Sequence, residues 1–172
     1  MDVVIFVLAV IAAAAVFLAV FAIGWRGRRR RQQDIPAPPE LPAELAEPLF
    51  EATGQYVVTT VAGDWLDRIA RHGLGFKSEA TAAVFDEGLL FARRGAPDLW
   101  IPRSRLRGVR LERGMAGKFV EKDGLVTVTW RLGGTDVDTG FRNRAANEKT
   151  MLVNAITQLL PADQAAPSEE QQ

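Results

Sequence analysis

The most regular pattern in the chain is an alternation of apolar and polar side chains over residues 125–132. The apolar positions are Val126, Val128, Trp130 and Leu132, and Thr127, Thr129 and Arg131 lie between them. A period of two predicts a β-strand with one buried face and one solvated face. The pair Gly133-Gly134 suits a tight turn, and a second alternating run extends from residue 135 to 142. This part of the chain therefore predicts an antiparallel hairpin.

Shorter apolar runs predict further strands earlier in the chain. They cover residues 83–85 and 89–93, joined by a turn at 86–88, and then residues 97–101 and 106–111, with a break at Pro102. A first pair at 56–61 and 65–70, turning at Gly63, is ambiguous. Residues 65–69 fit one or two helical turns as well as they fit a strand.

The last apolar pattern has helical spacing. Within residues 144–160 the recurring apolar positions are Met151, Leu152, Ala155, Ile156 and Leu159. Asn143 is the expected N-cap and Pro161 the expected stop. Several short strands followed by one amphipathic helix predict an α+β or small-barrel fold, a meander of antiparallel strands capped by a C-terminal helix.

A continuous apolar run occupies Val3–Ile23, which is 21 residues without a polar side chain. At about 1.5 Å per residue, a helix of this length matches the hydrocarbon thickness of a bilayer. A cleaved secretory signal would instead start with positive charge and have a shorter apolar core, whereas this chain starts with Met1-Asp2. We therefore predict that residues 1–25 form one N-terminal transmembrane helix.

Positive charge follows the apolar run directly. The candidate membrane-interface residues are Trp25, Arg26, Arg28, Arg29, Arg30 and Arg31. Basic residues at one end of a span keep that end in the cytoplasm, and an indole ring sits well at the interface. Residues 26–31 are thus interpreted as a stop-transfer segment of a single-pass cell-membrane protein, with the N-terminus outside and the C-terminal domain cytoplasmic. The arginines can also recruit anionic lipid, at about 1 kcal/mol each.

Residues 32–48 contain five prolines, and residues 161–172 are polar with few bulky side chains. The proline content favours an extended spacer with a reach of about 50 Å, although a ligand for an SH3-like partner has the same composition. The tail has the composition of a disordered segment. The folded domain is therefore expected at residues 49–160.

Charge and composition narrow the functional classes. Residues 1–31 hold five Arg and one Asp (+4), and residues 48–160 hold 16 Lys+Arg against 13 Asp+Glu (+3), in a chain that is neutral as a whole. Such a balance does not indicate nucleic-acid binding. The chain has no cysteine and only one histidine, His72, so disulfides, thiolate nucleophiles and multi-histidine metal sites are excluded. No cofactor is expected.

Two other groups of residues contain the residue types of phosphate-binding or acid–base catalytic sites. The glycine-rich stretch from Arg113 to Lys118 is followed by Phe119 and a predicted strand. A phosphate-binding P-loop requires Ser or Thr after the lysine and then a helix, so an inter-strand loop is the simpler interpretation. Asp64 and Asp67 precede His72, but no nucleophile completes an acid–base set there, and an enzyme is not expected.

The densest positive stretch of the domain lies between residues 103 and 113. Its candidate partner-binding residues are Arg103, Arg105, Arg107 and Arg110, with Arg113 beyond them. A strand would place residues 103, 105 and 107 on one face. Such a face is either solvated beside acidic neighbours or a docking surface for an acidic partner or an anionic membrane.

The segments GDWLDRIARHGLG, GLLFARRGAPDLWIPRSRLRGVRLERG and GKFVEKDGLVTVTW, with the ending TGFR, resemble the bacterial pleckstrin-homology-like (PH-like) domain over residues 54–160. They look most similar to the membrane-anchored, actinobacterial type. The resemblance implies two nearly orthogonal antiparallel sheets, a β-sandwich or partly open barrel, closed by a C-terminal helix. Proteins of this group have no established activity and are often encoded beside pyrimidine and carbamoyl-phosphate biosynthesis genes.

Two functions are therefore expected from the resemblance. The first is a membrane-tethered cytoplasmic binding or scaffold module of unknown ligand, with the bilayer and a protein or anionic lipid as partners. The alternative is an accessory or regulatory subunit of a membrane enzyme or of a pyrimidine or carbamoyl-phosphate biosynthetic enzyme.

Overall fold

The computed structural model describes residue 16 and residues 35–112, 114–115, 118–119 and 124–161. The chain divides into two compact units, Met1–Ile35 and Pro36–Gln172. The predicted anchor, apart from Val16, and the candidate residues from Trp25 to Arg31 lie outside the described residues, as does the tail after Pro161. Within the described ranges, no helix combines the length and the apolar character needed to cross a membrane.

The second unit consists of short strands followed by one helix. The strands are β1 (Phe50–Val61), β2 (Asp64–Arg68), β3 (Ser78–Phe85), β4 (Gly88–Arg93), β5 (Leu99–Pro102), β6 (Leu106–Glu112), β7 (Gly114–Met115), β8 (Lys118–Phe119), β9 (Leu125–Leu132) and β10 (Thr135–Asn143). A 3-10 turn occupies Arg103–Arg105, and helix α1 is Glu148–Leu159. Both predicted hairpins, β3–β4 and β9–β10, are confirmed. The ambiguous segment after Gly63 is a strand paired with β1.

All strand pairs of the main sheet are antiparallel, in the order β5-β4-β3-β1-β10-β9-β6, with β2 added beside β1. The long strand β1 belongs to both halves of this sheet. Residues 50–56 pair with β3 and residues 54–61 pair with β10, with an irregularity between Tyr56 and Val58. An irregular register bends a strand, so β1 can bend here and bring the two halves of the sheet face to face.

The core lies between the two halves of the sheet. The Phe91 ring of β4 packs 6.1 Å from Tyr56 and 5.6 Å from Phe141 of β10, measured between ring centroids. The apolar face predicted for β9 is confirmed, because Val126, Val128 and Trp130 are fully buried. Helix α1 contributes buried side chains at residues 152, 156 and 159, at the helical spacing that the sequence predicts.

Two sequence predictions about these elements are wrong. Asn143 ends β10 and pairs with Gly54, so it is not an N-cap, and α1 begins at Glu148 after Asn147. The face of the β9–β10 hairpin expected to be solvated is largely buried, since Thr127 is 0% and Asp138 4% exposed.

The proline-rich segment packs against the domain rather than extending away from it. Leu45 contacts a cluster formed by Ala83, Phe85 and Trp100 on β3 and β5. The N–H of Leu49 donates to the carbonyl of residue 84 at 2.8 Å. A Cβ added at Gly133 would lie 2.7 Å from Cγ of Pro36, so the first proline covers the β9–β10 turn. The prediction of a free spacer of about 50 Å over residues 32–48 is therefore wrong for residues 36–48.

Candidate functional site

The arginines predicted to share one strand face do not do so. Arg103 and Arg105 lie in a 3-10 turn, and only Arg107 is in β6. The Arg103 Nε donates to the carbonyl of Leu159 at 2.9 Å, at the end of α1. Arg107 donates to the carbonyls of Ser104 and Leu106. A cation bonded to the last carbonyls of a helix complements the helix dipole. Partner binding by these residues stays a prediction.

Arg110 belongs to a partly buried polar cluster on the outer face of β6, β9 and β10. Its Nη2 lies 2.7 Å from Oδ2 of Asp138, and its Nη1 donates to Thr129 at 2.6 Å. Its Nε also pairs with Glu112 at 2.6 Å. Burial alone would lower the pKa of Arg110, but the hydrogen bonds and charges of these two carboxylates raise it. Arg110 therefore neutralises a buried carboxylate.

Asp64 and the glycine-rich stretch have structural roles in the described region. The Asp64 carboxylate accepts the N–H groups of Leu66 and Asp67 at 3.1 and 3.2 Å, which closes a local turn. The described residues of the glycine-rich stretch pair as β7 and β8, with Gly114 opposite Phe119. A ribbon does not offer the helix N-terminus that a P-loop uses.

Three large apolar side chains are exposed on β2 and the segment that follows it. Trp65 is 45%, Leu66 61% and Phe76 65% exposed. The stretch also holds three exposed basic residues and two acidic residues, Asp64 and Asp67. Trp65 and Leu66 are consecutive in β2 and leave opposite faces of the strand. We refer to the apolar and basic residues as the β2 surface: Trp65, Leu66, Arg68, Arg71, Phe76 and Lys77. Exposed aromatic and aliphatic side chains beside cations are typical of an interaction surface.

The segment from residue 69 to 77 is held in place by Arg93. This side chain is 6% exposed, and its Nη2 donates to the carbonyls of Gly73 and Phe76 at 2.8 and 3.0 Å. Its guanidinium lies 3.9 Å from the centroid of the Tyr56 ring. The Tyr56 hydroxyl donates to the carbonyl of Leu74 at 2.8 Å. Burial raises the pKa of Tyr56 to about 12, so the hydroxyl stays protonated as a donor.

A second feature is a shallow polar cleft on the outer face of β4, β3, β1 and β10. It has two adjoining parts, of about 230 and 200 Å³. We call it the arginine cleft, after three of its lining side chains, Arg94, Arg142 and Arg144. Glu79 lies in both parts and pairs with Arg144 at 2.7 Å. Hydrogen bonds from Gln55 and the nearby cations lower the pKa of Glu79, so it is ionised.

The sequence patterns did not single out the β2 surface or the arginine cleft. Bulky apolar residues beside turn glycines were a partial signal, because Trp65, Leu66 and Phe76 are exposed while Ile69 and Leu74 of the same stretch are buried. For the cleft there was no such signal, since residues 79, 94, 142 and 144 are distant in sequence and meet only through strand pairing.

An antiparallel sheet that bends at one long strand and is closed by a C-terminal helix defines a PH-like domain. The family profile described as Bacterial PH domain-like matches residues 35–157, and the chain belongs to this family. The profile begins within the proline-rich segment, in agreement with the packing of that segment on the sheet.

The comparisons with individual proteins are more distant. A solved structure of Vav1 inhibited by an allosteric inhibitor aligns with 18% identity and a TM-score of 0.38, over 85% of this chain and 36% of that chain. The chain thus spans about a third of that chain's length. A search of curated proteins gives no match. The PH-like fold is that of a binding or scaffold module, and such families are generally non-catalytic.

Proposed function

We propose that this chain is a membrane-tethered binding module whose cytoplasmic PH-like domain docks onto the inner leaflet through the β2 surface. The observation that carries the proposal is the exposure of Trp65, Leu66 and Phe76 beside Arg68, Arg71 and Lys77. Aromatic rings suit the membrane interface, where one end is apolar and the other is wet.

Neither the apolar nor the basic side chains would hold a free domain on a membrane by themselves. Full burial of a large apolar side chain contributes about 1.5–3 kcal/mol, and only part of each side chain would enter the interface. Each base near an anionic leaflet adds about 1 kcal/mol. A tether changes this balance, because a covalently linked partner is present at an effective concentration in the millimolar range.

The tether in this proposal is the apolar run of residues 3–23, and the orientation follows from the arginines after it. The hydrogen bonds from Arg93 to the carbonyls of Gly73 and Phe76 also hold the part of this surface that follows β2. A surface that is already ordered loses little conformational entropy on binding, so more of its contact energy remains as affinity.

Docking can be tested with single cysteines, because the chain has none of its own. We would place one at Leu66, one at Phe76 and a control at Asp86, an exposed residue of the β3–β4 turn. The full chain would be labelled with an environment-sensitive fluorophore in nanodiscs of graded anionic lipid. We expect a blue shift at residues 66 and 76 that grows with anionic content and shrinks with salt, and none at residue 86. Equal spectra at all three positions would refute docking.

A further inference from the structure

The strand registers bring cations from distant parts of the chain onto one face. Gln55 of β1 pairs with Glu79 of β3 on one side and with Arg142 of β10 on the other. The backbone N–H of Arg94 donates to the carbonyl of Glu79 at 2.9 Å, and that of Arg144 donates to Thr53 at 2.9 Å. Side chains of directly paired residues lie on the same face. A row of polar side chains therefore crosses four strands, with an arginine at each end.

The charges of this row are not balanced. Arg144 has an acidic partner, Glu79, but the guanidinium groups of Arg94 and Arg142 form no hydrogen bond or ion pair with other described residues. Arg110 and Arg131, on the other half of the sheet, are by contrast paired with Asp138 and Asp136. The arginine cleft thus holds three cations and one carboxylate, an excess of two positive charges.

Asn143 lies between Arg142 and Arg144 at the end of β10, so its side chain is on the opposite face of the strand from this row. Its side-chain Nδ2 and Oδ1 are both shielded from solvent, and neither has a hydrogen-bond partner in the described region. Asn143 lines the same part of the cleft as Arg142 and Arg144. The amide of Asn143, on the opposite face, therefore adds nothing to the binding of a ligand on the arginine row, which depends on the arginines alone.

The dimensions of the cleft favour an extended ligand over a compact one. Adjacent strands lie about 4.8 Å apart, so the backbones of Arg94 and Arg142 are about 14 Å apart across three spacings. The cleft volume does not distinguish the two kinds of ligand, because the adjoining parts of about 230 and 200 Å³ together fall within the range of about 300–1,000 Å³ that is common for small-molecule pockets. In an extended peptide, side chains on one face repeat about every 6.6 Å, so two carboxylates that are about four residues apart match the separation of Arg94 and Arg142.

We infer that the arginine cleft binds an extended acidic segment of a partner protein, through carboxylates placed against Arg94, Arg142 and Arg144. Planar guanidinium groups bind carboxylates in a bidentate manner, which sets register as well as affinity. This surface involves none of the six residues of the β2 surface. The inference therefore stands or falls separately from membrane docking.

Fluorescence anisotropy would test the inference, with the full chain in nanodiscs of neutral lipid and a labelled peptide of alternating glutamate and serine. We expect Arg94→Gln and Arg142→Gln each to weaken binding by about two- to fivefold, the range for exposed ion pairs. Glu79→Gln removes a repulsive carboxylate and should strengthen binding. A peptide with glutamine in place of glutamate is the matched ligand control.

Arg105→Gln serves as the comparison variant, since it removes one arginine outside the cleft. A loss of binding with Arg105→Gln but not with Arg94→Gln or Arg142→Gln would overturn the inference and locate binding at the 3-10 turn. Inorganic phosphate that displaced the peptide at the peptide's own concentration would also overturn it, in favour of a small-anion site. The double variant Arg94→Glu with Arg142→Glu should instead bind a peptide of alternating lysine and serine.

Discussion

A series of hydrogen bonds between buried side chains connects the core to the segment of residues 69–77, which follows β2. The Trp130 Nε1 donates to Thr139 at 2.9 Å, and Thr139 is bonded to Thr59 at 2.7 Å. Thr59 in turn bonds the Tyr56 hydroxyl, which donates to the carbonyl of Leu74. Alternation identified Trp130 as buried, but its hydrogen-bond partners come from strands that only the tertiary structure brings together.

Replacement of Trp130 by alanine should be strongly destabilising. The side chain is fully buried, so Trp130→Ala leaves a large cavity and is expected to lower the free energy of unfolding by about 3–5 kcal/mol. Denaturant unfolding of a fragment from Ile35 to Pro161 would measure it. Trp65→Ala is the control, because Trp65 is 45% exposed, and its change should stay within about 0.5 kcal/mol. Similar losses for both variants would contradict the assignment of the core.

Arg110 and Arg107 both belong to β6 but should differ in their contribution to stability. Arg110→Ala leaves Asp138, which is 4% exposed, without its cation, and should cost about 1–3 kcal/mol, since the arginine itself is half exposed. Among the described residues, Arg107 hydrogen-bonds the backbone carbonyls of Ser104 and Leu106 at 3.2–3.3 Å, and Arg107→Ala should cost less than about 0.5 kcal/mol. Unfolding of the two variants in urea, with Arg110→Ala also made in an Asp138→Asn background, would show whether the loss depends on the carboxylate.

At the scale of elements, strand pairing determines where β10 ends and α1 begins, which the local sequence pattern does not predict. Residues 144–147 have no feature that forbids a helix, yet the N–H of Arg144 donates to the carbonyl of Thr53 and continues the β1–β10 ladder. The proline-rich segment likewise contacts the sheet, which its composition does not predict. Its apolar contacts explain why: Leu45 covers the edge-to-face pair Phe85–Trp100, whose ring centroids are 6.1 Å apart.

The contact of the proline-rich segment with the sheet gives a prediction for Leu45. Leu45→Ser should uncover Trp100, shift tryptophan emission to the red and lower the free energy of unfolding by about 1–2 kcal/mol. Leu41→Ser, in the same segment but at a residue that is 43% exposed, should change neither quantity. Equal emission spectra for the two variants would show that the segment detaches in solution.

At the scale of the whole molecule, the described domain is one bent sheet with a closing helix, and its relation to a membrane rests on residues 1–31. The apolar run and the arginines after it predict an N-terminus outside and a domain inside. The domain carries the surfaces on which the two proposals rest, so both presume that these surfaces face the cytoplasm.

The orientation can be measured with one cysteine at Asp2 and another at Ser104, an exposed residue of the 3-10 turn. On intact cells, an impermeant thiol reagent should label the cysteine at position 2 and spare the one at position 104. After permeabilisation both should react. Labelling of position 104 but not position 2 in intact cells would mean that the domain lies outside.

The sequence by itself determined the periodic elements: the two hairpins, the buried face of β9 and the spacing of α1. Period and turn chemistry are local properties, and residues such as Trp130 and Gly133 express them within a few positions. Tertiary structure alone decided how β1 serves both halves of the sheet, that Asp138 is buried against Arg110, and that Arg94 and Arg142 share a cleft. These arrangements depend on registers between segments up to about 90 residues apart, and no local pattern specifies a register across that distance.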